Sequence, residues 1–194
     1  PAIKAAHAAN IPVIMIARRL DNKYKSLWKT YLGFDMHGIG AAKGEWAVDK
    51  LKPGNVAMLL GPEGALFAIE QEKGFRSVIE PKGFKVGWAR SSVQTRENGL
   101  RLAEDALIAN PDLVAIYASN DDLALGAVQA VKAAGKHGKV AVLGNNGTPP
   151  AMASVHRGDM SMTIQNSPVG FAIRAAAVAD DFLRKDKVGA DHLV

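Results

Sequence analysis

Apolar residues along this chain gather into short runs, and most runs are followed by a longer stretch whose apolar positions recur at helical spacing. Short apolar runs bounded by turn residues predict buried strands, and recurrence at i, i+3 and i+4 predicts helices. Read this way, strands are predicted at 11–16, 31–35, 55–60, 84–89, 113–117, 139–143 and 160–164. Helices are predicted at 1–10, 38–51, from the loop at 61–64 to about 81, and at 95–109, 123–134, 151–157 and 168–185. Strands alternating with helices of this length imply βαβ units and a parallel sheet, with right-handed crossovers.

The stretch 113–136, LVAIYASNDDLALGAVQAVKAAGK, is the most informative. An apolar run stops at Ala118-Ser119-Asn120-Asp121-Asp122, and a strongly helical segment follows. In an open α/β sheet this places Asn120 and Asp121 outside the carboxyl end of a strand, where ligands bind. The same residues also suit the start of a helix, where Asn and Asp cap the free N–H groups. Both roles stand at this point.

Composition narrows the chemistry. The 194 residues suffice for one large domain or two small ones. No apolar run approaches the roughly 20 residues of a membrane span. With no cysteine, disulfides, zinc–thiolate sites and thiol nucleophiles are excluded. The five histidines, His7, His37, His137, His156 and His192, show no metal-ligand spacing. The net charge of +5 is dispersed, with small clusters at 18–19, 23–29 and 184–187. Of these clusters only 23–29 holds aromatics, Tyr24 and Trp28, too few for the base-stacking surface that single strands require, so no nucleic-acid partner is expected.

Motifs for catalysis are absent. Gly38-Ile39-Gly40 follows a predicted strand, but three residues separate Gly40 from Gly44 where a dinucleotide fingerprint has two. Glycines at 40 and 44 equally let a helix pack closely on a sheet. There is no phosphate-binding P-loop and no nucleophile elbow. The paired acids Asp121 and Asp122 alone do not make an acid–base site. The predicted strands are instead followed by a series of neutral amides: Gln71, Gln94, Asn120, Asn146 and Asn166. An amide carries a donor and an acceptor in fixed geometry, which matches vicinal hydroxyls. Asn and Gln are also ordinary loop and cap residues; their repetition after five strands is what favours a polyhydroxylated neutral ligand.

Taken together, IPVIMIARR, GFDMHGIGAAKGEWAV, GPEGALFAIEQEKGFRSVI, IYASNDDLALGAVQAVKAAGK and VLGNNGTPPAMASVHRGDMSMTIQNSP resemble the type 1 periplasmic sugar-binding proteins of ABC transporters, the ribose-binding-like group. The resemblance covers essentially the whole chain, and SNDDLALGAVQAVKAAGK and VLGNNGTPPA are its most specific pieces. It implies an α/β fold, a doubly wound parallel sheet of the type 1 periplasmic-binding-protein kind, with one complete lobe plus part of a second. Residues 1–34 would be the C-terminal part of the first lobe, 35–164 the second lobe, and 165–194 a helix returning to the first. About 65–70 residues of the first lobe would lie upstream, consistent with a lobe of normal domain size.

The resemblance further implies a non-enzymatic, monomeric protein of the periplasm without a cofactor, which binds a small neutral sugar or polyol between its lobes and presents it to an ABC permease. The family's Asp-Arg pair falls on Ala17-Arg18, keeping Arg18 and losing the acid. Its ligand-binding arginine falls on Gln71, and its loop aromatic on Gln94. Its Asn-Asp asparagine is matched by Asn120, its aspartate after the next strand becomes Asn146, and its hinge-side glutamine falls on Asn166. These exchanges of charge or ring for amide keep polyol binding and put ribose itself in doubt. A pyranose usually gains a stacking ring, for which Trp28 and Trp88 are candidates. The effector-binding core of a LacI-type repressor shares the fold and is the alternative. Repressors usually carry a longer insertion where only Lys136-His137-Gly138 stands here, and GNNGTPPA resembles the transporter pattern.

Overall fold

Five of the apolar runs pair side by side as one parallel sheet, in a computed structural model that describes residues 2–18, 20–185 and 192–193. The strands are β1 (Ile14–Ile16), β2 (Thr30–Gly33), β3 (Asn55–Leu60), β4 (Lys85–Ser91), β5 (Leu113–Ala118), β6 (Ala141–Asn146), β7 (Met162–Gln165) and β8 (His192–Leu193). The helices are α1 (Ala2–Ala8), α2 (Met36–Lys50), α3 (Leu66–Ile79), α4 (Arg96–Ala109), α5 (Asp121–Ala133), α6 (Pro149–His156) and α7 (Pro168–Lys185). Short 3-10 turns stand at Asn22–Leu27 and Glu80–Lys82. Contacts divide the chain into two units, residues 36–166 and residues 1–35 with 167–194. Among the described residues, no helix is long and apolar enough to cross a membrane.

The unit of residues 36–166 is doubly wound. Its sheet runs β4-β3-β5-β6-β7, every pair parallel. Alternation along β3 sends Val56 and Met58 toward α2 and α3, and Ala57 and Leu59 toward α4 and α5. Along β5, Ala115 and Tyr117 join the first core, while Ile116 and Ala118 join the second. Such two-sided burial is what makes parallel strands read as continuous apolar runs. The chain steps from β3 to β4 on one side and then to β5 on the other. The order therefore reverses between β3 and β5, and a crevice opens outside their carboxyl ends.

Each face is closed by a helix pair whose backbones nearly touch. A Cβ on Gly40 would lie 2.0 Å from the Gln71 carbonyl oxygen, and one on Gly74 2.0 Å from that of His37. The α4–α5 crossing repeats this: Gly126 would meet the Arg96 oxygen at 2.1 Å and Gly99 that of Leu123 at 2.3 Å. The glycine at 40 thus serves a helix–helix crossing, where the sequence suggested helix-on-sheet packing.

In the other unit, β1, β2 and β8 form a parallel sheet in the order β1-β2-β8. Phe34 stacks on Phe171 of α7 with ring centroids 4.7 Å apart. Strand β1 starts three residues later than its apolar run, because Asn10 turns left-handed (φ 55°) and the Ile11 N–H closes α1 on the Ala6 carbonyl. That ending is a Schellman motif, and it leaves Ile11 outside the sheet.

The α4–α5 crossing is testable. Gly126→Ala is expected to cost roughly 1–3 kcal/mol through overpacking, read as a lower urea midpoint with an unchanged m value. A wild-type midpoint would show that the helices have room to part.

Candidate functional site

The site is built where β5, β6 and β7 end. Asn120 is the N-cap of α5: its backbone is extended and its Oδ1 accepts from the Leu123 N–H at 2.9 Å. The cap occupies the acceptor and leaves the Nδ2 donor at the half-buried edge. Both roles read from the sequence therefore fit in one side chain. Asp122 faces outward and pairs with Arg96 at 3.0 Å.

Asp121 does something the sequence did not suggest. Its side chain is 1% exposed, and its carboxylate accepts from the Thr148 N–H (2.7 Å), the Thr148 hydroxyl (2.9 Å) and the Thr163 hydroxyl (2.6 Å). The Thr163 oxygen in turn accepts from the Gly147 N–H at 3.2 Å. One carboxylate thus ties the start of α5 to the loop after β6 and to β7. Thr148 is the N-cap of α6, yet its side chain makes no cap bond. Pro149 and Pro150 follow; having no N–H, they shorten the list of donors that a cap must satisfy. The hydroxyl is free to bond Asp121. Gly144 gives this carboxylate its room, since a Cβ there would sit 2.6 Å from Asp121 Oδ1.

Asn146 is the last residue of β6 and not a loop residue, because β6 runs three positions beyond the predicted end in register with β7. Its φ is 128°, a region that L side chains rarely adopt and that persists only where surroundings enforce it. The enforcing contacts are the β7 pairing, the Asn166 N–H on the Asn146 carbonyl (3.1 Å), and the Asp121–Thr148 anchor just beyond. Asn166 also donates Nδ2 to Asn145 Oδ1 at 3.3 Å. On the other side, Gln94 donates Nε2 to Ser119 Oγ at 2.9 Å, beside Asn120. Gln94, Asn120, Asn146 and Asn166 therefore lie along one hydrogen-bonded edge, each half-buried.

Gln71 is placed differently. It stands in the second turn of α3, not in a loop, and is 1% exposed. Its Oε1 accepts from the Tyr117 hydroxyl (3.0 Å) and its Nε2 donates to Met36 Sδ (3.3 Å). Beside it, Lys43 of α2 is fully buried. The Lys43 Nζ donates to the Ala118 carbonyl at 3.1 Å and stands 3.6 Å from the Tyr117 ring centroid. Burial pushes this amine well below the ordinary lysine value of 10.5, and the Asp121 carboxylate opposes the shift. Burial likewise pushes the Tyr117 phenol up, with a further push from Glu72. Sequence reading missed Lys43. The available signal was its place in the stripe Gly40, Lys43, Gly44, Ala47, which repeats at i, i+3, i+4 and i+7 and is buried throughout.

Arg18 belongs to the other unit. It is exposed and follows Ala17, whose left-handed φ of 62° is held by the Ala17 N–H on the Leu32 carbonyl (2.8 Å) and by the Tyr31 hydroxyl on the Ala17 carbonyl (3.3 Å). Of the candidate rings, Trp28 is 5% exposed, with Lys25 over it at 5.4 Å. Trp88 packs on the α4–α5 core with Arg90 over its face at 5.4 Å. Among the described residues, no group of three or more His, Asp or Glu could hold a metal ion.

This chain belongs to the periplasmic binding protein family, whose domain matches residues 1–187. It is 32% identical to the ribose import binding protein of Escherichia coli over 194 residues, covering all of this chain and 64% of that protein. It is 34% identical to the galactofuranose-binding protein of the same organism, covering 96% of this chain and 60% of the relative. The chain thus spans less than two thirds of these relatives' lengths. Solved structures similar over the whole chain include the following two. One is a solute-binding protein of Actinobacillus succinogenes with bound D-allose (TM-score 0.92, 32% identity, 71% of that chain). The other is a periplasmic ribose ABC transporter protein of Conexibacter woesei (TM-score 0.93, 30% identity, 66% of that chain). Fold class and family agree with the resemblance read from the sequence.

The carboxylate tie and the buried amine each make a prediction. Asp121→Ala strands the Thr148 N–H and should cost on the order of 3 kcal/mol, as charge-assisted bonds of about 1.5–3 kcal/mol are lost. Amide hydrogen exchange at Gly147 and Thr148 should speed up with it; unchanged exchange would contradict the tie. For Lys43, the unfolded chain holds more protons than the folded one between the lowered folded value and 10.5. Stability owed to this group therefore rises with pH through that window. The stability of wild type minus that of Lys43→Met is expected to climb as pH is raised toward 10.5, and a flat difference would refute a buried amine.

Proposed function

We propose that this chain is part of a solute-binding protein that holds a small neutral sugar or polyol and delivers it to an ABC permease from the periplasm, with no chemistry on the solute. The observation that carries the reading is the row of four amides, Gln94, Asn120, Asn146 and Asn166, at the carboxyl ends of a doubly wound sheet. Two acids beside it are buried or paired: Asp121 by its three donors, Asp122 by Arg96. The named relatives bind ribose, galactofuranose and D-allose, which supports a sugar of that size. Arg18 is a further proposed contact, and Gln71 is proposed to act from beneath the edge. The relatives are import and binding proteins, which favours this reading over a repressor core.

The test separates binding from capping. Serine caps a helix about as well as asparagine but lacks the Nδ2 donor. In the full-length protein, Asn120→Ser should keep the thermal midpoint within a few degrees. Its affinity for the best binder among D-ribose, D-allose and myo-inositol should fall at least tenfold, as expected when a buried partner is left unsatisfied at about 1–3 kcal/mol. Unchanged affinity by calorimetry would remove Asn120 from the site.

A further inference from the structure

Beneath the amide edge lies a charge-bearing group for which the edge itself gives no reason. Lys43 is wholly buried on the α2–α3 face of the sheet, and its amine donates to the Ala118 carbonyl, one residue before Ser119 and two before Asn120. The same amine sits over the Tyr117 ring, and Tyr117 donates to Gln71. Ser119 is the acceptor for Gln94. A single side chain from α2 therefore reaches the backbone that carries Asn120 and, through Tyr117, the amide of Gln71.

We propose that Lys43 is a positioning residue for the ligand edge, holding the Ala118–Asn120 backbone more firmly as an ammonium than as a neutral amine. The argument rests on two contacts that both depend on charge. A hydrogen bond from an ammonium to a carbonyl is charge-assisted, and such bonds are about twice as strong as neutral ones. Cation–π attraction to the Tyr117 face is lost when the amine is neutral, leaving only the weaker contact of an uncharged N–H with the ring. The titratable or charged groups around it are Tyr117 from β5 and Asp121 from α5, with Glu72 of α3 acting on Tyr117. The Asp121 carboxylate favours the ammonium, while burial favours the neutral amine. This balance brings the proton within reach of exchange at a pH below that of an exposed lysine. A solute that binds the firmly held edge binds the protonated form better, and by reciprocity its binding draws the proton onto Lys43. Affinity should then fall as pH rises through the Lys43 titration.

This inference rests on the sugar-binding reading for its ligand arm, so the experiment has two arms. In the first, the full-length protein is titrated with base and followed by NMR at the Ser119 and Asn120 amides and at Lys43 Cε. Wild-type Ser119 and Asn120 should move with the same midpoint as Lys43, and in Lys43→Met they should stay still over that range. If they do not follow Lys43 in wild type, the proposal is overturned, whether or not the variant folds. In the second arm, D-ribose and D-allose are titrated calorimetrically at pH values on both sides of that midpoint. Affinity should drop at least threefold across it in wild type and stay level in Lys43→Met. Equal pH profiles in the two proteins overturn the coupling. If neither sugar binds wild type, the choice of ligand fails while the first arm still decides the role of Lys43.

Discussion

Three donors from two strand ends converge on the buried carboxylate of Asp121, and the candidate site depends on that convergence. In a parallel sheet the carboxyl ends of neighbouring strands are joined only by the ladder, which stops where the loops begin. Beyond that point β5, β6 and β7 would carry their loops independently. Asp121 joins them, because Thr148 belongs to the loop after β6 and Thr163 to β7. The strained Asn146 stands two residues before Thr148 and is bracketed by Asp121 on one side and by Asn166 on the other. The carboxylate also sits at the first position of α5, where the helix dipole favours a negative charge. Its burial is thus compensated by donors and dipole together.

The two helix pairs supply the stiffness beneath this edge. Reciprocal glycine contacts bring α2 onto α3 and α4 onto α5 until backbone meets backbone. Close approach fixes the crossing, and the crossing fixes where Lys43 of α2 and Gln71 of α3 fall relative to Tyr117. A lysine can be accommodated there because its amine finds a carbonyl acceptor, a ring face and a carboxylate within the core. Without them the desolvation of an amine would be prohibitive. The polar cluster is therefore a product of the packing, and it connects the packing to the edge.

What the sequence showed and what it concealed divide by distance along the chain. Strand β3 was predicted at 55–60 and is found there, since its apolar run and the Pro53-Gly54 turn before it are local signals. Asn120 was legible as a cap and as a strand-end amide for the same reason. The end of β6 was placed early because Asn145 and Asn146 look like loop residues, and only pairing with β7 makes them strand. Gln71 was read as following a strand end, whereas α3 begins at Leu66 and carries it into the interior. The contacts that matter most span 27 residues (Asp121–Thr148), 42 (Asp121–Thr163), 46 (Tyr117–Gln71) and 75 (Lys43–Ala118). No window of local periodicity contains such pairs. Lys43 in a buried helical stripe was the one long-range feature with a local trace.

The distribution of charge gives the edge its chemical character. A free carboxylate or guanidinium there would select a charged solute or demand a counter-charge, and an empty site would leave it solvated and costly to strip on binding. Asp121 is turned inward and spent on backbone and hydroxyl donors, Asp122 is held by Arg96, and Lys43 lies below the surface with its amine on a carbonyl. Amides stand at the edge: the Nδ2 of Asn120, freed by its cap geometry, and the half-buried side chains of Gln94, Asn146 and Asn166. Neutral donors and acceptors in fixed orientations lose little on desolvation when each meets a hydroxyl, and lose more when one is left unmatched. On the proposed reading, selectivity among polyols would come from which hydroxyls can satisfy every amide at once.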